Sequence, residues 1–355
     1  MDAAASMLTT ADGSRLNPFH RLEDAIAMAR EDERSVIRVS GSHVLDKGLE
    51  IGSDIRIEGR FDKDWNSSGA HARLFMEKDA FFKVDGASLT LAGIQVDAQS
   101  SDVPLVQLES GSALELDDCI LTADSSLVAA RQSDIVINKS LLRSDSASRS
   151  RLPVFDVAGG RLSMSESRVE FNAEHALALD VFSVDLALSD SVILGSGSKT
   201  CLGIRMADSK IEFDRVHLES VADSYASAFE QRNSHAEFNS CALSLKARDV
   251  SAVLVEGGSA VFTGMNIKLD SDFVCRVMEF KQLSPQIHDS VFESCGRARN
   301  SELFSGSPDF GASSITGNLF NGFTVIFAPR YTIDRIVSFN RAYGNVQKPN
   351  RDITE

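Results

Sequence analysis

Aromatic residues with a polar handle are scarce: the 355-residue chain has one Trp and three Tyr against 21 Phe. Sugar-binding grooves commonly present Trp and Tyr faces, rings that can stack and hydrogen-bond at once, so an aromatic-lined sugar cleft is not expected. Long apolar runs are missing too, and no stretch approaches the ~20 residues that a membrane-spanning helix needs. The opening Met1-Asp2-Ala3-Ala4-Ala5 lacks the basic segment and apolar core of a signal peptide. That start fits a protein that is not exported, or a mature fragment with a Met added. Positive charge is in deficit. With 36 Lys and Arg against 51 Asp and Glu, the formal charge is −15. Such a charge opposes binding to nucleic-acid phosphates and anionic lipid. It implies a solvated acidic surface or, alternatively, attraction for cations and basic partners.

Cysteine is also sparse, and the five present make no CxxC or Cys/His spacing. No metal or other cofactor is implied, and the seven His are scattered. Cys119 and Cys241 occupy the same place in a repeat (described next), five coils apart. At ~4.8 Å per coil they are separated by roughly 24 Å, beyond the ~7 Å limit of a disulfide. Cys201 and Cys275 share another place, three coils apart. These thiols are expected to be small buried hydrophobes, with Cys295, in Ser294-Cys295-Gly296, the exposed one.

What is abundant is repetition. The stretch Ser88-Leu89-Thr90-Leu91-Ala92-Gly93-Ile94-Gln95-Val96 alternates apolar and polar, turns, and alternates again. Its second apolar position recurs at Leu91, Leu116, Ile137, Met164, Leu188, Phe213, Phe238, Phe262, Ile287 and Ile315, at a spacing near 25 residues. Short alternating strands at such a period are the signature of a solenoid. The position after each turn reads Ile94, Cys119, Ser140, Ser167, Ser191, Val216, Cys241, Met265, Ser290, Asn318. Mostly small side chains there predict a crowded inward corner with hydroxyls bonding backbone. The dipeptides of two-residue hairpins, Asn-Gly and Asp-Gly, are scarce within the array, which favours parallel coils over a hairpin barrel. Second strands are expected at 104–108, 176–179, 252–255 and 324–327.

Before the array, residues 1–16 read as a leader. Asn17-Pro18 reads as a helix N-cap and first turn, and Leu22, Ala25, Ile26 and Ala29 fall on one helical face. An amphipathic helix here is expected to cover the open first coil. Strands follow at 36–39 and 55–58, and surplus length around 61–69 predicts an exposed excursion.

The segments Asp12-Gly13-Ser14, Asn17-Pro18-Phe19 and Leu22-Glu23-Asp24-Ala25-Ile26, with Ile55-Arg56-Ile57-Glu58-Gly59-Arg60-Phe61 and Asp64-Trp65, resemble the opening of bacterial right-handed parallel β-helix proteins. These are surface or secreted proteins of pectate-lyase-like superfold, of autotransporter-passenger or polymorphic surface type. Arg60 departs from the pattern, standing where a second glycine is usual. The motif covers the first ~65 residues and periodicity the rest. The resemblance implies an all-β, single-stranded right-handed parallel β-helix with an N-terminal capping α-helix. The expected organisation is leader 1–16, cap helix 17–34, β-helix 35–329, and C-terminal cap and tail 330–355. About 12 coils would extend roughly 55 Å. The resemblance further implies export to the cell surface, periplasm or medium.

Chemistry is thinly marked. Asp134, Arg161, Asp185 and Lys210 share an outward position and alternate in sign, which predicts exposed ion pairs between coils. Glu212 and Glu237 share another, one coil apart, with His235, Asp214 and His217 near them. Carboxyls roughly 5 Å apart match a retaining glycosidase, and mutual repulsion would raise one pKa as an acid catalyst requires. Acidic solenoids also produce such pairs by chance. The asparagine-threonine-aspartate, His-Gly and Arg-Ile-Lys set of polygalacturonase-like hydrolases is absent, and Asp117-Asp118 stands alone in a turn. Calcium carboxylates with a facing arginine, as in pectate-lyase-like enzymes, are not grouped either. Gly195-Ser196-Gly197-Ser198-Lys199-Thr200 lacks the spacing of a phosphate loop and reads as a turn. The expectation is therefore a non-enzymatic surface or periplasmic scaffold presenting loops to a protein or glycan partner. The alternatives are a carbohydrate-active β-helix enzyme, a lyase or hydrolase using Glu212 and Glu237, and a non-catalytic glycan-binding module.

Overall fold

The repeated apolar position forms a continuous buried column within each of the two compact units into which the chain divides, Met1–Phe171 and Asn172–Glu355. The structure, a computed structural model, describes residues 14, 18–31, 36–62, 64–67, 69–99, 103–146, 152–281, 284, 286–296, 298, 300–307, 313–323 and 340–343. The expectations for Asn17, for most of the leader, for the strand at 324–327 and for nearly all of the C-terminal cap fall outside these residues. The fold is a parallel β-solenoid with one helix among the described residues.

In the first unit that helix, Leu22–Glu31, buries Leu22, Ala25, Ile26 and Ala29, the four residues its periodicity selects. It lies against the strand Val36–Ser40. Glu23 and Asp24 in its first turn and Arg30 in its last complement the helix dipole. Beyond it the chain winds in coils of three strands. One ladder stacks Ile37 on Ile57, Ile57 on Leu91, then Leu116, Ile137 and Met164. A second joins Ser42–Leu45, Ala72–Met76, Ile94–Ala98, Ile120–Ala123 and Leu141–Asp145. A third joins Leu49–Ile51, Phe82–Val84 and Val106–Leu108 to residues 128–130. The surplus residues after Phe61 leave the coil as expected. Asp62 Oδ1 accepts the backbone N–H groups of Asp64 and Asn66 at 2.8 and 2.9 Å, closing an exposed turn.

The second unit repeats the plan with longer strands. Leu188, Phe213, Phe238, Phe262, Ile287 and Ile315 stack in register, and all are buried. Phe213 and Phe238 lie 5.1 Å apart between ring centroids, Phe238 and Phe262 4.8 Å. Successive strands run together here, as in the 22-residue Ala242–Thr263. Many of the corners are one or two residues in left-handed backbone, after which the ladder resumes in register. Residues 195–200, expected as a turn, are instead part of the strand Val192–Ala207. A bend persists within them, because a side chain at Gly197 would meet the Thr200 carbonyl at 2.1 Å.

The corners explain the small residues. At each, one residue adopts a positive φ: Arg60, Gly93, Asp118, Lys139 and Glu166 in the first unit, Asp190, Arg215, Ser240, Gly264, Asp289 and Gly317 in the second. Left-handed backbone reverses the local direction in one step, a conformation glycine adopts readily and other residues at some cost. The next residue then points inward. Ser140 Oγ accepts the Cys119 N–H at 3.0 Å and donates to the Asn138 carbonyl at 2.7 Å. Ser167 does the same for Ser140. In the second unit Ser290 serves Met265 and Asn318 serves Ser290. Groups at a corner that the ladder leaves without partners are thus satisfied by side chains of the adjoining coil.

Candidate functional site

The three residues singled out for chemistry, Glu212, His235 and Glu237, come together on one outward sheet face of the second unit. Lys210–Asp214 and residues 235–239 are adjacent strands, which places Glu212 beside Glu237 and Lys210 beside His235. The following coil adds Ser259 next to His235. Alternation drives Ile211, Phe213, Ala236 and Phe238 into the core, so the residues between them must face out.

The contacts form two sets. Lys210 Nζ donates to Glu212 Oε1 at 2.7 Å. That hydrogen bond, more than any other influence, holds the Glu212 carboxyl below its ordinary range. The net shift at Glu212 is therefore downward, opposite in direction to a rise from like-charge repulsion, and Lys210 is its main cause. Glu237 instead meets His235, Nε2 to Oε1 at 3.2 Å. The other ring nitrogen, Nδ1, contacts Ser259 Oγ. With Nε2 protonated toward Glu237, Nδ1 can accept the serine proton, so hydroxyl, imidazole and carboxylate form a chain of the kind that activates nucleophiles. Its setting is water: the side chains of Glu212, His235 and Glu237 are 56%, 47% and 60% exposed. The neighbouring backbone groups are engaged in the ladders between coils, so they offer no ready pair of N–H donors to a developing oxyanion. Asp214 pairs with Arg215 and accepts Asn239 Nδ2 at 3.0 Å. His217 lies 4.0 Å from Glu219.

Ser259, the third member of that chain, belongs to no recognisable sequence motif. It stands 24 residues beyond His235, and extending the Asp185–Lys210 column by two coils leads to it. The charge column itself behaves differently from expectation. Asp134 accepts the backbone N–H of Arg161 at 3.1 Å, and Lys210 turns along its own strand to Glu212, with Asp185 adding only its field. Ion pairs between coils form on other columns, such as Arg131 with Asp156 at 2.8 Å and Arg215 with Asp190 at 2.6 Å.

Four cysteines, Cys119, Cys201, Cys241 and Cys275, are buried and all five thiols are free. Cys201 and Cys275 stand in one column, linked through Ala226 and Val250. Burial pushes the thiols of Cys119, Cys201 and Cys275 up to about 11. Cys295 is half-buried. No helix of the described residues is long and apolar enough to cross a membrane. The chain matches no family model, no curated protein and no solved structure.

Proposed function

We propose that this protein is a non-enzymatic β-helix scaffold, exported to the cell surface or periplasm, that presents its outer faces and loops to a protein or glycan partner. The observation carrying this reading is the Lys210–Glu212 contact: a carboxylate held ionised and open to water is poorly suited to deliver a proton to a glycosidic oxygen. Coils locked by in-register ladders and corner hydrogen bonds favour presentation, because a rigid surface loses little entropy when a partner docks. Export rests on the N-terminal motif and its resemblance to bacterial surface β-helix proteins. Fractionation of cells producing the full-length gene product tests it, and recovery wholly in the cytosol would remove it.

A second reading, a carbohydrate-active enzyme or glycan-binding module, draws on the register of Glu212 with Glu237 and on the Ser259–His235–Glu237 chain. Incubation with acidic polysaccharides separates the alternatives. The scaffold reading expects no product release, with or without glycan-array binding. Depolymerisation by the wild type that disappears in Glu237→Gln would overturn it in favour of the enzyme.

A further inference from the structure

Strand alternation lapses repeatedly in the second unit, at residues 176–179 and on two later coils. Residues 226–229 and 250–253 are each four buried residues in a row. Ala226 and Phe229 pair with buried Cys201 and Ile204 of the coil before and line the interior. Ser227 therefore faces outward, yet its exposure is 0%. An outward side chain on a sheet is shielded in this way where the surface turns concave. Register extends the groove over four coils: Leu202, Ser227, Ser251 and Arg276 form one bank, and Arg205, Glu230, Leu254 and Glu279 the other.

Tyr225 lies in this groove. Burial first, then the field of Glu230, raises the pKa of its hydroxyl, which also sits near Ser227 and Ser251 and within the field of Glu279. The Ser227 and Ser251 hydroxyls lie close enough to the Tyr225 hydroxyl to offset part of that rise, while Ser227 Oγ makes no hydrogen bond of full geometry. Asp249, in register with Tyr225, likewise keeps a buried Oδ1 without a partner.

The arginines that border the groove are turned to other acids. Arg205 bonds Asp180 at 3.0 Å, Arg232 meets Glu256 at 3.4 Å, and Arg276 meets Glu302 at 3.2 Å. Glu230 makes no ion pair with either and is left with the fields of its neighbours Arg205 and Arg232. Burial outweighs them and holds its carboxyl above the usual range. A desolvated carboxylate without a salt bridge is costly to the fold, and such groups mark candidate binding sites.

Among the described residues no three His, Cys, Asp or Glu side chains converge as a metal ion would need. The groove combines an aromatic face, acidic oxygens and hydroxyl acceptors, which suits a cation that carries N–H donors. We propose that the groove formed by Tyr225, Ser227, Glu230 and Glu279 binds a protonated amine or guanidinium, carried by a polyamine or by a Lys or Arg side chain of a partner. The site lies across the Asn233 corner from the Lys210–Ser259 face. It deepens the scaffold reading by giving the partner a chemistry, and it can fail while that reading stands.

Calorimetric titration of the whole chain at low salt with spermidine, and separately with a short acetylated Lys/Arg peptide, tests it. The expected result is binding of at least one probe, weakened at least tenfold in Glu230→Gln and more modestly in Tyr225→Phe, and unchanged in Glu50→Gln. Binding by spermidine alone identifies a free polyamine, and binding by the peptide identifies a basic partner. Affinity should rise as pH increases through the titration of Glu230, the groups facing it being Tyr225, Arg205, Arg232 and Glu279. A folded-state pKa raised above the unfolded value stabilises the fold at low pH, and that stability is lost as pH rises through it. Glu230→Gln should therefore match or exceed the wild-type melting temperature at neutral pH, with the advantage fading in acid. That combination, stability kept while binding is lost, separates a binding role from a structural one. No binding by either probe, or equal binding by Glu230→Gln, would overturn the proposal.

Discussion

The Arg60 guanidinium reaches across Gly93 to the carboxylate of Asp118, two coils away in the first unit. All three are corner residues with positive φ, and the arginine passes because the middle one has no side chain. A Cβ on Gly93 would stand 2.9 Å from Arg60 Cγ. His71 joins the group, its Nε2 2.9 Å from the Asp118 carbonyl oxygen.

Gly93→Ala should therefore destabilise the protein by about 1–2 kcal/mol through the left-handed backbone, plus a smaller amount through the displaced arginine. Chemical denaturation of Gly93→Ala, Arg60→Ala and the double variant checks this. A non-additive cycle is expected, because removing Arg60 relieves the contact but leaves the backbone cost in place. Strict additivity would show that the arginine does not rest over Gly93 in solution.

Ser140→Ala should cost about 1–3 kcal/mol, since it leaves the buried Cys119 N–H without an acceptor. Ser140→Cys and Ser140→Thr, which retain a polar atom at the γ position, separate lost bonding from lost volume. Hydrogen exchange at the Cys119 amide gives the local readout. Exchange in Ser140→Ala as slow as in the wild type would sink the corner account.

Phe238→Ala should lose about 3–5 kcal/mol, as expected for a buried aromatic removed from a close-packed core. Phe238 touches Phe213, Phe229 and Phe262 at centroid distances of 4.8–5.1 Å. Phe273→Ala, at a position 44% exposed, should change stability far less. Urea midpoints of the two variants decide whether the stacked column is the core of the second unit.

Thiol labelling should follow burial. Cys295 should react with a maleimide in the native protein, whereas Cys119, Cys201 and Cys275, with pKa values of about 11, should react only on unfolding. Mass spectrometry after brief labelling at pH 7.5 checks it. Native modification of Cys201 would place that column outside the core.

Arg60 shows how far residues alone carry the reading. Its occupancy of a glycine position was visible in the motif, and the structure gives it the glycine's φ of 62°. The ion pair with Asp118 was not visible, because it depends on an intervening Gly93 that is unremarkable until three coils are stacked. The same holds for Glu212: its register with Glu237 follows from the 25-residue spacing, but whether Lys210 turns to Asp185 or to Glu212 is a rotamer question that the spacing leaves open.

The amino-acid order by itself determined the winding: period-2 alternation sorts side chains inward and outward, and a recurrence near 25 residues stacks like on like, both local properties repeated along the chain. Tertiary structure alone decided where the outside becomes an inside. Ser227 lies between inward Ala226 and Ala228 and would face water on a regular strand, yet it is fully shielded, because alternation breaks at Ala228 and Ala252 and the Tyr225 hydroxyl sits beside it. Curvature between neighbouring strands is a property of the assembled coils, and no alternation of residue types encodes it.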